Sequence, residues 1–244
     1  MLDISASFVT KYCTVYLVTC AAVLSFLFRK RDDSGLIFLL CFTMIFNTIL
    51  KECFGMIGPF AKSPTDYAFT SGHMNFDGVF FIWMALYSRY NFAKVIYVVI
   101  AVFFGWCMVY KGFHYAGDVI AAPFFSALSV YCYLRFVNKL PRGDKNFVVS
   151  VVILCFSLLT FLIRGAVESH ILMAYSFAIG FMVPDLIAER QQPARNYIAF
   201  IVMLVFPIVS VFCGCKDVTE SLLLVLKFFT IALLVKSLKI FRKN

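Results

Sequence analysis

The chain is expected to be all-α: a polytopic bundle of transmembrane helices with about nine spans, the N-terminus outside and the C-terminus cytoplasmic. Three observations predict this. Of 244 residues, 62% are hydrophobic and 14% charged, whereas soluble domains are roughly half apolar and about a quarter charged. Mean hydropathy is +0.90. Apolar runs near the bilayer-crossing length of about 20 residues recur along the whole chain. Together these exclude a soluble globular domain, a disordered chain and a nucleic-acid-binding module. The net charge of +9 has another source, because Lys and Arg accumulate in the cytoplasmic loops of membrane proteins.

The nine runs fall at residues 5–28, 34–50, 73–88, 93–110, 114–137, 146–163, 169–188, 196–213 and 217–241. The first follows Asp3 and lacks a basic leader region, so it is expected to be a retained helix and not a cleaved signal. The second is short and ends at Lys51. The third opens after Ser71-Gly72, and the fifth opens at His114. Around the outer loop between the sixth and seventh stand Arg164, Glu168 and, at the start of the seventh, His170, with Arg164 and Glu168 expected to form an interfacial pair. Pro184-Asp185 stands near the end of the seventh, where Pro184 is expected to kink the helix. The ninth contains Lys227. Nine helices with their loops use the chain up and leave no room for a soluble domain.

Loop charges orient the bundle. With the N-terminus outside, the cytoplasmic side receives fifteen basic residues: Arg29, Lys30, Arg31, Arg89, Lys94, Arg135, Lys139, Arg142, Lys145, Arg190, Arg195, Lys236, Lys239, Arg242 and Lys243. The outer side receives five: Lys51, Lys62, Lys111, Arg164 and Lys216. The bias holds at every cytoplasmic loop, and an even number of helices would break it. The nine cysteines are scattered and form no C-x-x-C pair. They are expected to be small buried hydrophobes; a disulfide among the outer-end residues Cys53, Cys213 and Cys215 stays open.

Ionisable groups near a bilayer are costly and mark function. The chain has three histidines, His73, His114 and His170, all at expected outer helix starts. In Thr70-Ser71-Gly72-His73, a Ser-Gly pair precedes a helix whose first N–H groups have no intrahelical acceptor. Such an end binds anions. Ser71 can cap the helix, Gly72 allows close approach of a ligand, and His73 points back toward the helix start. In His114-Tyr115-Ala116-Gly117-Asp118, the four-residue spacing places His114 and Asp118 on one helix face. The carboxylate can then hold one imidazole nitrogen and free the other as nucleophile or base. Lys51 and Lys111 are candidate phosphate counter-charges. Asp77, four residues after His73, either tunes it or is a buried, paired acid.

The pattern Ser71-Gly72-His73, followed one hydrophobic hairpin later by His114-Tyr115 and Asp118-Val119, resembles the type 2 phosphatidic acid phosphatase (PAP2) superfamily. That group includes membrane lipid phosphatases and, more distantly, sphingomyelin synthase-like lipid phosphotransferases. The resemblance covers about residues 47–137. Lys51 with Gly58-Pro59 stands at the first family motif, Thr70-Ser71-Gly72-His73 at the second, and His114 with Asp118 at the third. The family's two motif arginines correspond to Gly58 and Met108, and the Pro before Ser-Gly-His corresponds to Thr70.

The resemblance implies catalytic roles for His73, His114 and Asp118. His114 would form a phosphohistidine, Asp118 would orient it, and His73 would protonate the leaving alcohol. Lys51, Ser71, Gly72 and Lys111 would hold phosphate oxygens. No cofactor or metal is implied. The substrate would be a lipid phosphate, with membrane lipids as surroundings and no nucleic acid as partner. Residues 1–140 would form the catalytic bundle and 141–244 additional helices. The expected setting is a bacterial inner membrane with the site facing the periplasm. A non-catalytic scaffold and a lipid transporter or flippase are the alternatives. The clustering of polar groups at one interface, not at the midplane, favours the enzyme.

Overall fold

Helices form along the apolar runs. The computed structural model describes residues 6–29, 33–59, 67–165, 168–188 and 218–243. The expected span at 196–213, together with Lys62, Cys213, Cys215 and Lys216, lies outside them. In order, the described elements are a π-helical run Val9–Leu17, α1 (Val18–Phe28), α2 (Ser34–Phe54), α3 (Gly72–Leu86) and α4 (Asn91–Tyr110). Next come α5 (Ala116–Cys132), continued by a π-helical turn Tyr133–Val137, α6 (Arg142–Arg164), α7 (Ser169–Ala188) and α8 (Val218–Lys243). Among the described residues, Ile57 and Tyr67 form an isolated antiparallel bridge.

Five stretches are long and apolar enough to cross a membrane: Ser34–Phe54, Asn91–Tyr110, Ala116–Val137, Asp144–Arg164 and Thr219–Ile240. They mark an integral membrane protein. On α4, Phe92, Val95, Val98, Val99, Val102, Phe103 and Trp106 are all exposed, while Phe104, Cys107 and Met108 are buried. A wide exposed apolar face of this kind suits hydrocarbon and not water. By contrast α3 has 15 residues, roughly 22 Å of helix at about 1.5 Å per residue, so it is shorter than the expected 73–88 span and than a bilayer core.

Internal packing divides the chain into two units. One comprises Met1–Ser25 and Phe46–Tyr133, the other Phe26–Ile45 and Leu134–Asn244. Within the first, α3 packs against α4 and α5, and the π-helical run Val9–Leu17 touches α3 and α4. Within the second, α7 packs against α8 and α6. Edge-to-face contacts of Phe181 with Phe26 at 4.8 Å and Phe38 at 5.5 Å centre its core.

Lys236 and Lys239, expected as cytoplasmic charges, are both buried within the second unit. Lys236 is 2% exposed; its Nζ lies 2.8 Å from Asp185 Oδ2 and 4.5 Å from the centre of the Phe181 ring. Asn146 Nδ2 donates to the same Asp185 oxygen at 3.3 Å. Lys239 Nζ donates to the carbonyls of Leu27, in the last turn of α1, and Arg29, just past its end. As expected, Arg164 pairs with Glu168, and His170 Nδ1 joins that carboxylate at 3.0 Å. Helix α7 runs on through Pro184 to Ala188. Cys41 and Cys107 are buried as expected, whereas Cys20, Cys53, Cys132 and Cys155 are exposed free thiols, several of them on apolar surface that hydrocarbon would cover.

Candidate functional site

Three helix ends of the first unit supply the site. Lys51 sits in the last turn of α2. Ser71 has extended backbone and is the N-cap of α3, its Oγ accepting the Met74 N–H at 3.4 Å. Gly72 and His73 follow in the first turn, so their N–H groups have no acceptor within the helix. His73 is exposed, while Thr70 and Ser71 are fully buried. A Cβ on Gly72 would lie 2.9 Å from Asn47 Nδ2, closer than contact allows.

Helix α4 ends in a Schellman closure. Gly112 at φ +72° donates to the Val109 carbonyl at 2.9 Å, and Phe113 donates to Met108 at 3.1 Å. The positive φ requires glycine. Lys111 is the half-buried C-cap, its N–H donating to Cys107 at 3.0 Å. This tight exit delivers the chain to His114. Met108 is 1% exposed, and the neighbouring Cys107 is 0% exposed. Both belong to the core and cannot reach a ligand at this end.

The expectation that His114 opens a helix is corrected. Helix α5 begins at Ala116, with Tyr115 as N-cap. The physical reason is Asp118, whose Oδ2 accepts the Tyr115 N–H at 2.9 Å. A carboxylate at this helix position caps the preceding residue, so the helix starts past His114. His114 therefore meets Asp118 across the entering turn and not along a helix face. Asp118 Oδ2 lies 3.7 Å from His114 Nδ1. That is ion-pair range for a protonated ring but beyond a hydrogen bond, and Nδ1 is buried without a hydrogen-bond partner among the described residues.

A backbone bond joins the two histidine segments: Ser71 N–H donates to the Asp118 carbonyl at 3.3 Å. The Lys51 charge reaches both histidines, and His73 bears on His114. Burial first, then Lys51, then His73, lowers the His114 pKa from 6.5 to about 4. At neutral pH the ring is uncharged and its nitrogen lone pair is available. The structure thus gathers Lys51, Ser71, Gly72, His73, His114 and Asp118. Lys111 stands three residues before His114 at the α4 end.

Asp77 is buried as expected, but it pairs with none of the described residues. It is 0% exposed and neither carboxyl oxygen has a hydrogen bond. Sequence reasoning missed Asn47, Asn75 and Ser126, which lie under the site and are 6%, 0% and 0% exposed. Asn47 makes its contacts with residues 23 and 28 positions away, a separation at which no local pattern points to it.

Residues 33–142 match the family model of the PAP2 superfamily. The matched segment contains all six gathered residues and Lys111. No curated protein and no solved structure matches the chain.

Proposed function

We propose that this chain, whose residues 33–142 match the PAP2 superfamily, is a membrane-embedded lipid phosphate phosphatase or phosphotransferase. The single observation that supports this most is the hydrogen bond from Ser71 N–H to the Asp118 carbonyl, which joins the start of α3, carrying His73, to the start of α5 beside His114. His114 Nδ1 faces Asp118, which leaves Nε2 as the nucleophile. Nε2 attacks phosphorus and forms a P–N bond while the P–O bond to the lipid alcohol breaks. His73 gives its proton to the departing oxygen. Water or a second alcohol then attacks the phosphohistidine, His73 takes its proton, and the P–N bond breaks. As charge develops on His114, Asp118 stabilises it. Lys51 and the Gly72 and His73 amides hold phosphate oxygens, a task of positioning and charge stabilisation, while the buried Ser71 hydroxyl caps the turn that presents those amides.

Nine spans with the N-terminus outside put this site at the outer face, which in a bacterial inner membrane is the periplasmic side. A second reading, a scaffold that keeps the fold without turnover, draws on Met108, a core residue where the family has a phosphate-holding arginine. Purified protein in detergent, offered phosphatidic acid, phosphatidylglycerol phosphate and polyprenyl diphosphate, should release phosphate or transfer a phosphoryl group. Vanadate should inhibit. Wild-type protein inert toward the whole panel would overturn the enzyme in favour of the scaffold.

A further inference from the structure

Resting on the function proposed above, we infer that Asn47 is a positioning residue that sets the geometry of the anion-binding turn. Asn47 lies on α2 four residues before Lys51. Its Oδ1 accepts from Thr70 Oγ1 at 3.0 Å and from Asn75 Nδ2 at 3.4 Å. Thr70 and Asn75 are the residues that bracket Ser71, Gly72, His73 and Met74. One carbonyl oxygen therefore grips both ends of the segment that offers its amides to phosphate. Between those two contacts Asn47 Nδ2 abuts Gly72, at the place where a Cβ would come within 2.9 Å.

The grip extends into α5. Ser126 Oγ lies 2.8 Å from the Asn75 carbonyl, 2.8 Å from Asn75 Oδ1 and 2.9 Å from the Ala122 carbonyl. Its single proton is shared among these acceptors. A connected set of buried polar side chains thus ties the Lys51 helix, the His73 turn and the helix that follows His114. Such networks rigidify what they join when every member is satisfied. A shift of about 1 Å in a reacting group can cost on the order of 100-fold in rate. Asn47 touches no reacting atom; it acts through Gly72, His73 and Lys51.

The test compares Asn47→Ala, Thr70→Val, Gly72→Ala and the double variant Asn47→Ala with Gly72→Ala, all as full-length protein in detergent, using the lipid phosphate that the wild type hydrolyses. Asn47→Ala should lower kcat by roughly 10- to 100-fold, the scale of supporting-shell losses, with KM changed less than about threefold. Thr70→Val removes one arm of the grip without changing side-chain shape, and should show the same kcat pattern more mildly. Gly72→Ala alone should be as damaging as Asn47→Ala. Added to Asn47→Ala it should cost little more, since the obstructing amide is gone; contacting residues are non-additive in this way. Full kcat in folded Asn47→Ala and Thr70→Val protein, or losses that simply multiply in the double variant, would overturn the positioning role while leaving the enzyme intact. Wild-type protein without turnover would overturn the functional proposal and this inference with it.

Discussion

Asp118 Oδ2 stands 3.7 Å from His114 Nδ1 while accepting the Tyr115 N–H at 2.9 Å. One carboxylate therefore both starts a helix and faces the proposed nucleophile. The two duties separate by substitution. Asp118→Asn keeps an oxygen for Tyr115 and loses the charge. It should unfold at the wild-type temperature but turn over roughly 100- to 10,000-fold more slowly, the range for losing a carboxylate that orients a histidine. Asp118→Ala should lose, in addition, about 1 kcal/mol of stability as a missing helix cap. Phosphate release and thermal unfolding on the same samples check both.

The low pKa of His114, about 4, makes a statement about pH. Only the neutral His114 ring attacks, and His73, whose pKa burial and then Lys51 lower, must carry a proton. Thus kcat/KM should rise as falling pH protonates His73 and then fall as pH drops toward 4 and His114 is protonated. The Lys51 charge opposes protonation of His114, so Lys51→Met should move the acid limb upward, toward 6.5. An acid limb that stays in place, or shifts downward, would mean that the Lys51 charge does not act on the group that titrates. A pH–rate profile of both proteins with a soluble short-chain phosphate ester reads this directly.

How much of this was legible in the sequence differs by residue. Hydropathy locates helices because hydrocarbon demands long apolar runs: the seventh expected run, 169–188, has the same bounds as α7. Ser71 as cap follows from its place before the third apolar run, and Lys51, His73 and His114 as neighbours from their shared outer helix ends and the family resemblance. Hydropathy does not say where a helix starts within a polar-flanked run, and the Asp118 cap moved the α5 start past His114. Nor does it tell a loop cation from a buried one. Lys236 reads as cytoplasmic charge, yet it pairs with Asp185, 51 residues earlier in the chain. Asn47 and Ser126 are invisible for the same reason, because their partners meet them only through folding.

The Asp185–Lys236 pair is buried on both sides, with side-chain exposures of 7% and 2%. Removing one member strands the other charge. Lys236→Ala should therefore destabilise by about 3–5 kcal/mol, whereas Lys236→Met combined with Asp185→Leu should be neutral or stabilising. Thermal unfolding in detergent distinguishes these; equal damage from the single and double changes would show that the pair is irreplaceable by apolar packing.

Asp77 makes the opposite case. A fully buried carboxyl with no hydrogen bond among the described residues opposes folding by an amount on the order of 1–3 kcal/mol. Asp77→Leu should hold or raise the unfolding temperature. A clear fall would reveal a partner for the carboxyl in the folded protein.

The central claim is that phosphorus passes through His114. It is tested most directly by mixing purified protein with a lipid phosphate labelled at phosphorus, quenching in base, and measuring label bound to protein. The mechanism predicts acid-labile, base-stable protein-bound phosphate in the wild type, more of it in His73→Ala if the second step is slowed, and none in His114→Ala. Turnover with no bound label in the wild type, or equal label in His114→Ala, would contradict it.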